Sequence, residues 1–209
     1  PNKFAERAAL LAARLNYFNL KKYDTAEKYY LLLAKIATQQ ENKSEALKGL
    51  LRCQYKNQKW EASAKIASQV LADKSSATDD ILMASMSLYH NSIQNKDTTG
   101  ALQLLSKLIK YNSSEITAEA HYLIAKLHYD EAKYNLAEKT AFELIKKQAS
   151  YEYWVTKTYI LLGDIYSAQK DNFNAIATYK SVAENATIEE FKLEASNKLK
   201  LLVDNTSIK

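Results

Sequence analysis

Residues 159–180 read Tyr-Ile-Leu-Leu-Gly-Asp-Ile-Tyr-Ser-Ala-Gln-Lys-Asp-Asn-Phe-Asn-Ala-Ile-Ala-Thr-Tyr-Lys. A first helix carries Tyr159, Leu162, Gly163 and Tyr166, and a short polar linker follows. A second helix then opens with a small residue, Ala175, and Tyr179 and Val182 follow it four and seven positions on, along one helical face. Two helices joined so closely form a hairpin, and a small residue at the start of the second lets it approach the first.

The same arrangement recurs along the chain. A helix ends, a polar linker turns, and a small residue stands three positions into the next helix: Tyr23 then Ala26, Trp60 then Ser63, Thr98 then Ala101, Tyr134 then Ala137, Asn172 then Ala175. Successive small residues are 37, 38, 36 and 38 apart. Larger residues follow each of them at helical spacing, among them Tyr30 and Leu33 in the first repeat and Ala141 and Leu144 in the fourth. One hairpin cannot bury such a stripe alone, so the hairpins must stack. The spacing predicts first helices over about 4–20, 42–57, 79–94, 115–131 and 152–169, and partners over about 23–39, 60–73, 98–111, 134–148 and 172–185. These give repeats of about 4–39, 42–73, 79–111, 115–148 and 152–185 within a single domain over 1–209. Beyond them, Thr187 precedes Glu189 and Glu190, and Phe191, Ala195, Leu199 and Leu202 share one face. That predicts a capping helix over about 188–203, with Lys192, Glu194, Lys198 and Lys200 on its polar side.

Composition agrees with an all-α chain. Three glycines and one proline, at position 1, leave few residues for hairpin turns or bulges. The lone Cys53 lies in a helical apolar pattern and cannot form an intrachain disulfide, so it is read as a core residue. No apolar run is long enough for a membrane-spanning helix. At the N-terminal end, Phe4, Ala8, Leu11, Ala12 and Leu15 make the first helix apolar around much of its circumference. Either an upstream helix covers it, the chain being part of a longer protein, or these residues cover the first pair.

At these positions the chain resembles the tetratricopeptide repeat family. The likeness is strongest in the fifth repeat, with Tyr159, Leu162, Gly163, Tyr166, Ala175 and Tyr179, and then in the fourth, with Ala125, Tyr134, Ala137 and Leu144. In the first three repeats the small residue of the first helix is replaced by Arg14, Leu51 or Tyr89. The resemblance implies a right-handed α-α superhelix of about five pairs plus the capping helix. It also implies a scaffold or adaptor that holds a peptide or protein in the groove lined by first helices. A regulatory or ligand-sensing domain of a larger protein is the alternative. The wording of Ile160–Tyr166 and Asp171–Ala177 is similar to repeats of Bacteroidetes-type envelope proteins. That implies a periplasmic or outer-membrane-associated setting, with a cytoplasmic one still open.

Sequence motifs for chemistry are lacking. His121 and His128 are seven apart on one helix, about 10 Å along its axis, too far to share a metal. No phosphate loop, nucleophile elbow or His-Glu-x-x-His pattern occurs, and no cofactor or enzymatic activity is expected. Net charge is +5, yet the cations are dispersed and only Lys21–Lys22 and Lys146–Lys147 stand together, so nucleic acid is not the expected partner.

Carrying the family's groove positions onto this chain gives three rows. One holds Phe18, Tyr55, Ile93 and Tyr129; the second Leu15, Arg52, His90, Lys126 and Asp164; the third Leu11, Lys48, Met86, Tyr122 and Ile160. From these the resemblance implies Arg52, Tyr55, His90, Tyr122, Lys126 and Tyr129 as partner-binding residues, a mixture of aromatic and basic anchors. The Lys, Asn and Arg set with which one subclass grips C-terminal carboxylates is replaced here by Leu11, Leu15, Gly49, Met83 and Ser87.

Overall fold

The computed structural model describes residues 3–111 and 114–207, and its described residues are helical throughout, with short connections and no strand. In chain order the helices are α1 (Lys3–Arg14), continued by a π-helical segment Leu15–Asn19, α2 (Tyr23–Ile36), α3 (Gln40–Lys56), α4 (Trp60–Ala72), α5 (Thr78–Gln94) and α6 (Thr98–Leu108). They continue with α7 (Glu115–Asp130), α8 (Tyr134–Lys147), α9 (Glu152–Ala168), α10 (Asn172–Asn185) and α11 (Glu189–Ser207). Each expected helix is present, and most ends fall within one or two residues of expectation. Two compact units emerge, Pro1–Leu104 and Leu105–Lys209, with the division inside α6.

In the first unit α1 to α5 pack each on the next, and in the second α7 to α11 do the same; a first helix also meets the first helix of the next pair, as in α3 with α5 and α7 with α9. In the first unit, Ala9, Ala13, Tyr17, Ala26, Tyr30, Leu33, Ala46, Leu50 and Cys53 form one apolar cluster. Burial pushes the Cys53 thiol up to about 12, so it remains a protonated core group. In the second unit, Ala125, Ala137, Ala141, Leu161, Leu162 and Ile165 form a cluster between α7, α8 and α9.

The hairpin turns are built without glycine. Lys21, Gln58, Lys96, Ala132 and Lys170 all have φ between 54° and 64°, the left-handed region, at equivalent places in five turns. An L residue there costs about 1 kcal/mol or more, which the surrounding hydrogen bonds offset. In four turns those bonds make a Schellman arrangement: Gln58 N–H donates to the Tyr55 carbonyl and Lys59 N–H to that of Gln54, and the pattern repeats at 96/97, 132/133 and 170/171.

The first turn differs by one residue. Lys22 N–H donates to the Asn16 carbonyl, six residues back, where the other four turns span five. The π-helical segment Leu15–Asn19 absorbs that extra residue, as such bulges do. Everything N-terminal to it is displaced by one position in register. Ala13, fully buried, thereby takes the close-contact place in the first repeat, and Arg14 points outward. The expected departure at Arg14 is thus corrected: the first pair has its small residue.

α11 caps the second unit through Phe191 and Ala195, which pack on Ile160, Ala175, Tyr179 and Val182. Its expected polar face is only partly so. Lys198 turns inward, its Nζ 2.6 Å from Asp164 Oδ1, while Leu193 and Leu201 are exposed. In the first unit α1 and the π-helical segment bury Ala9, Ala13 and Tyr17 against α2 and α3 and leave Leu11, Leu15 and Phe18 exposed. The apolar row on its outer side therefore does not cover the first pair.

Candidate functional site

The six expected binding residues fall three in each unit, and the shared turn geometry sets their register. Asn16, Gln54 and His128 each supply the carbonyl that receives the long turn hydrogen bond, so Tyr17, Tyr55 and Tyr129 are equivalent positions. Each packs on the aromatic residue that opens the following helix: Tyr17 on Tyr23 at 5.3 Å, Tyr55 on Trp60 at 5.5 Å and Tyr129 on Tyr134 at 5.9 Å between centroids. The first of the expected rows therefore begins at Tyr17 and not at Phe18. These tyrosines brace the hairpin from within; Tyr17 is buried, while Tyr55 and Tyr129 remain partly at the surface.

By the same shift, Arg14 is equivalent to Arg52, and Leu15 leaves the second row. In the first unit this row is a chain of ion pairs between neighbouring first helices. Arg14 meets Glu45 at 3.1 Å, Glu45 meets Arg52 at 3.5 Å, and Arg52 grips Asp80 through Nε at 2.6 Å and Nη2 at 2.7 Å. Asp80 is 2% exposed, and the Arg52 side chain is largely enclosed. Arg52 is therefore committed to holding α3 against α5. His90, next in the row, lies flat on the Trp60 indole with centroids 3.9 Å apart and planes 16° from parallel.

Burial pushes the His90 imidazole down to about 4. Unfolded histidine titrates near 6.5, so below that pH the unfolded chain takes up a proton that the folded chain refuses. Stability is then fully present above about pH 6.5 and declines as pH falls toward 4, with His121 and His128, also lowered by burial, adding in the same direction. His90→Phe keeps a ring on Trp60 and should lessen the loss of the urea midpoint between pH 7.5 and 5. An undiminished loss in that variant would mean that His90 is solvated.

The third row is mostly interior. Lys48, Met86 and Ile160 are buried, and Lys48 spends its ammonium on Asp73 at 3.1 Å and Ser75 Oγ at 2.8 Å. Only Tyr122 of that row keeps a half-exposed ring.

In the second unit the rows converge on an aromatic and cationic cluster. Tyr122 on α7 faces Trp154 on α9 at 5.6 Å, and Tyr153 stands edge-on to Trp154 at 5.1 Å. Lys157 Nζ lies over three of these rings, 5.2 Å from Tyr122 and 5.4 Å from both Tyr153 and Trp154. One turn along α7, Lys126 is 5.4 Å from the Tyr129 ring and paired with Asp130. Lys157, Trp154 and Tyr153 were not among the expected site residues. Their signal was the spacing Tyr153-Trp154-x-x-Lys157, which on a helix sets both rings beside the ammonium.

No family model matches the chain, and no curated protein matches its sequence. Solved structures do resemble it. The crystal structure of MamA protein aligns with TM-score 0.64 and 13% identity over 86% of this chain and 91% of that one. BtubC (BKLC) from P. vanneervenii aligns with TM-score 0.61 and 15% identity over 98% and 82%. TTC0263, a thermophilic TPR protein in Thermus thermophilus, aligns with TM-score 0.55 and 16% identity over 93% and 98%. With helix pairs, small residues at the crossings and left-handed turn residues in common register, these likenesses show a fold of the tetratricopeptide repeat kind.

Proposed function

We propose that the chain is a non-enzymatic interaction scaffold that holds a protein or peptide partner against its first helices, with the principal contact on α7 and α9. The observation that supports this reading most is the cluster of Tyr122, Trp154 and Lys157, joined by Lys126 and Tyr129. Its rings are half-exposed, its cations reach solvent, and aromatic side chains beside cations are the usual anchors of interfaces. Arg52, Tyr55 and His90 form the corresponding surface of the first unit, where Arg52 shapes the surface through Asp80 more than it offers a free charge. An envelope setting belongs to the same proposal, by the likeness of the last repeats, and cell fractionation tests it.

The double variant Lys126→Ala/Lys157→Ala separates binding from folding. Both lysines make only partly exposed contacts, so their loss should change unfolding by about 1 kcal/mol or less. Immobilised wild-type chain and variant, presented with lysate of the source cells, should differ in what they retain. A partner captured by the wild type should bind the variant at least about tenfold more weakly in a purified titration. Equal affinity for both would refute the site on α7 and α9.

A further inference from the structure

The outer face of α1 carries information about what covers it. Asn16 and Gln54 are equivalent by their turn hydrogen bonds, so Ala8, Leu11 and Ala12 of α1, with Leu15 of the π-helical segment, correspond to Ala46, Gly49, Leu50 and Cys53 of α3. On α3 that row is buried by α2, through Tyr30, Leu33 and Ala37. The corresponding Leu11 and Leu15 are 57% and 52% exposed, and Phe18 beside them 49%. Among the described residues, the helices packed on α1 are α2 and α3, both on its other side. Among the described residues this face of α1 stays exposed, while the corresponding face of α3 is covered by a helix.

Charge narrows the occupant. Lys3, Arg7 and Arg14 fall along one edge of the row at helical spacing, and all are exposed. The sole acid of α1, Glu6, is buried and accepts hydrogen bonds from Thr38 N–H at 3.0 Å, Thr38 Oγ1 at 2.7 Å and Asn42 Nδ2 at 2.8 Å. Glu45 already answers Arg14, which leaves Lys3 and Arg7 as the cationic edge. A second copy meeting this face with its own α1 would bring the same cations to the contact. Size narrows it further: Gly49 makes room for the Tyr30 ring, whereas Leu11 fills the equivalent place and calls for a small residue opposite.

We propose that this face docks an amphipathic helix of a partner protein, seated on α1 as α2 is seated on α3, with a small residue over Leu11 and acidic residues along the edge beside Arg7. The face shares no residue with the cluster on α7 and α9, and either assignment can fail without the other.

The probe is a labelled synthetic helix of about five turns with a leucine stripe interrupted by alanine and glutamates along one edge. Its counterpart carries lysines in place of the glutamates. Anisotropy with the full chain should show the acidic helix binding at least about tenfold more tightly than the basic one, with the preference reversed in Arg7→Glu. Leu11→Glu/Leu15→Glu should abolish binding of both while leaving the circular dichroism melt unchanged, since both leucines are exposed. Equal binding of the two helices, or binding retained by the double glutamate variant, would overturn the proposal. So would self-association abolished by Leu11→Glu/Leu15→Glu, which assigns the face to a second copy, or binding to anionic vesicles with no binding of either helix, which assigns it to a lipid surface.

Discussion

Gly163→Ala is expected to destabilise the chain by about 2 kcal/mol, although alanine ordinarily strengthens a helix interior by roughly 1 kcal/mol over glycine. The opposing term is steric. A Cβ on Gly163 would stand 2.3 Å from Cε1 and 2.6 Å from Cδ1 of Tyr179, well inside contact distance. The ring has nowhere to go. It is buried by Ile160, Ala175, Val182 and Phe191, and its hydroxyl donates to Asp164 Oδ1 at 2.6 Å, an oxygen that also receives Lys198 from the capping helix. Displacing the ring therefore disturbs α9, α10 and α11 together. Urea unfolding of Gly163→Ala, Tyr179→Leu and the double variant checks the mechanism: the double variant should be less destabilised than the two single changes added, because leucine relieves the clash. Strict additivity, or a stabilised Gly163→Ala, would mean that α9 and α10 are not held this closely. Gly49 and Tyr30, where the corresponding distance is 2.2 Å, should behave in the same sense.

Small residues at the crossings, such as Ala26, Ala137 and Ala175, are legible because helical periodicity and close approach leave a residue-type signature every 36 to 38 positions. The five turns are legible only in position. Lysine, glutamine and alanine take the left-handed places that glycine would have advertised, so the turn chemistry has no composition signal at Lys21, Gln58, Lys96, Ala132 or Lys170. The π-helical insertion is hidden for a related reason. It lies before the turn and leaves the spacing from Lys21 to Ala26 equal to that in the other repeats, so counting back from Ala26 lands on Arg14 and Phe18 in place of Ala13 and Tyr17. The positions of the candidate site residues on first helices were legible, but their bonding was not. Whether an arginine at a groove position is free depends on an acid 28 residues away, as Asp80 is from Arg52, and a single sequence does not pair them.

That pairing makes Arg52→Ala a test of architecture. The variant is expected to lose about 3–5 kcal/mol of stability, because it strands the carboxylate of Asp80, 2% exposed, with no compensating charge. Asp80→Ala should cost less. The guanidinium it releases is less enclosed and still has Glu45 at 3.5 Å. Arg52→Lys should fall between wild type and Arg52→Ala, since an ammonium cannot reproduce the two parallel bonds to Asp80. Removing both charges, as in Arg52→Met/Asp80→Leu, should recover most of the loss, because a buried ion pair contributes little beyond what well-packed apolar groups supply. Denaturant midpoints of the four variants decide the matter, and an Arg52→Ala chain as stable as wild type would place Asp80 in contact with water. If the ordering holds, any fall in affinity for the proposed partner on changing Arg52 reports a loosened α3 and α5, and the direct contact is to be tested at Tyr122, Lys126 and Lys157.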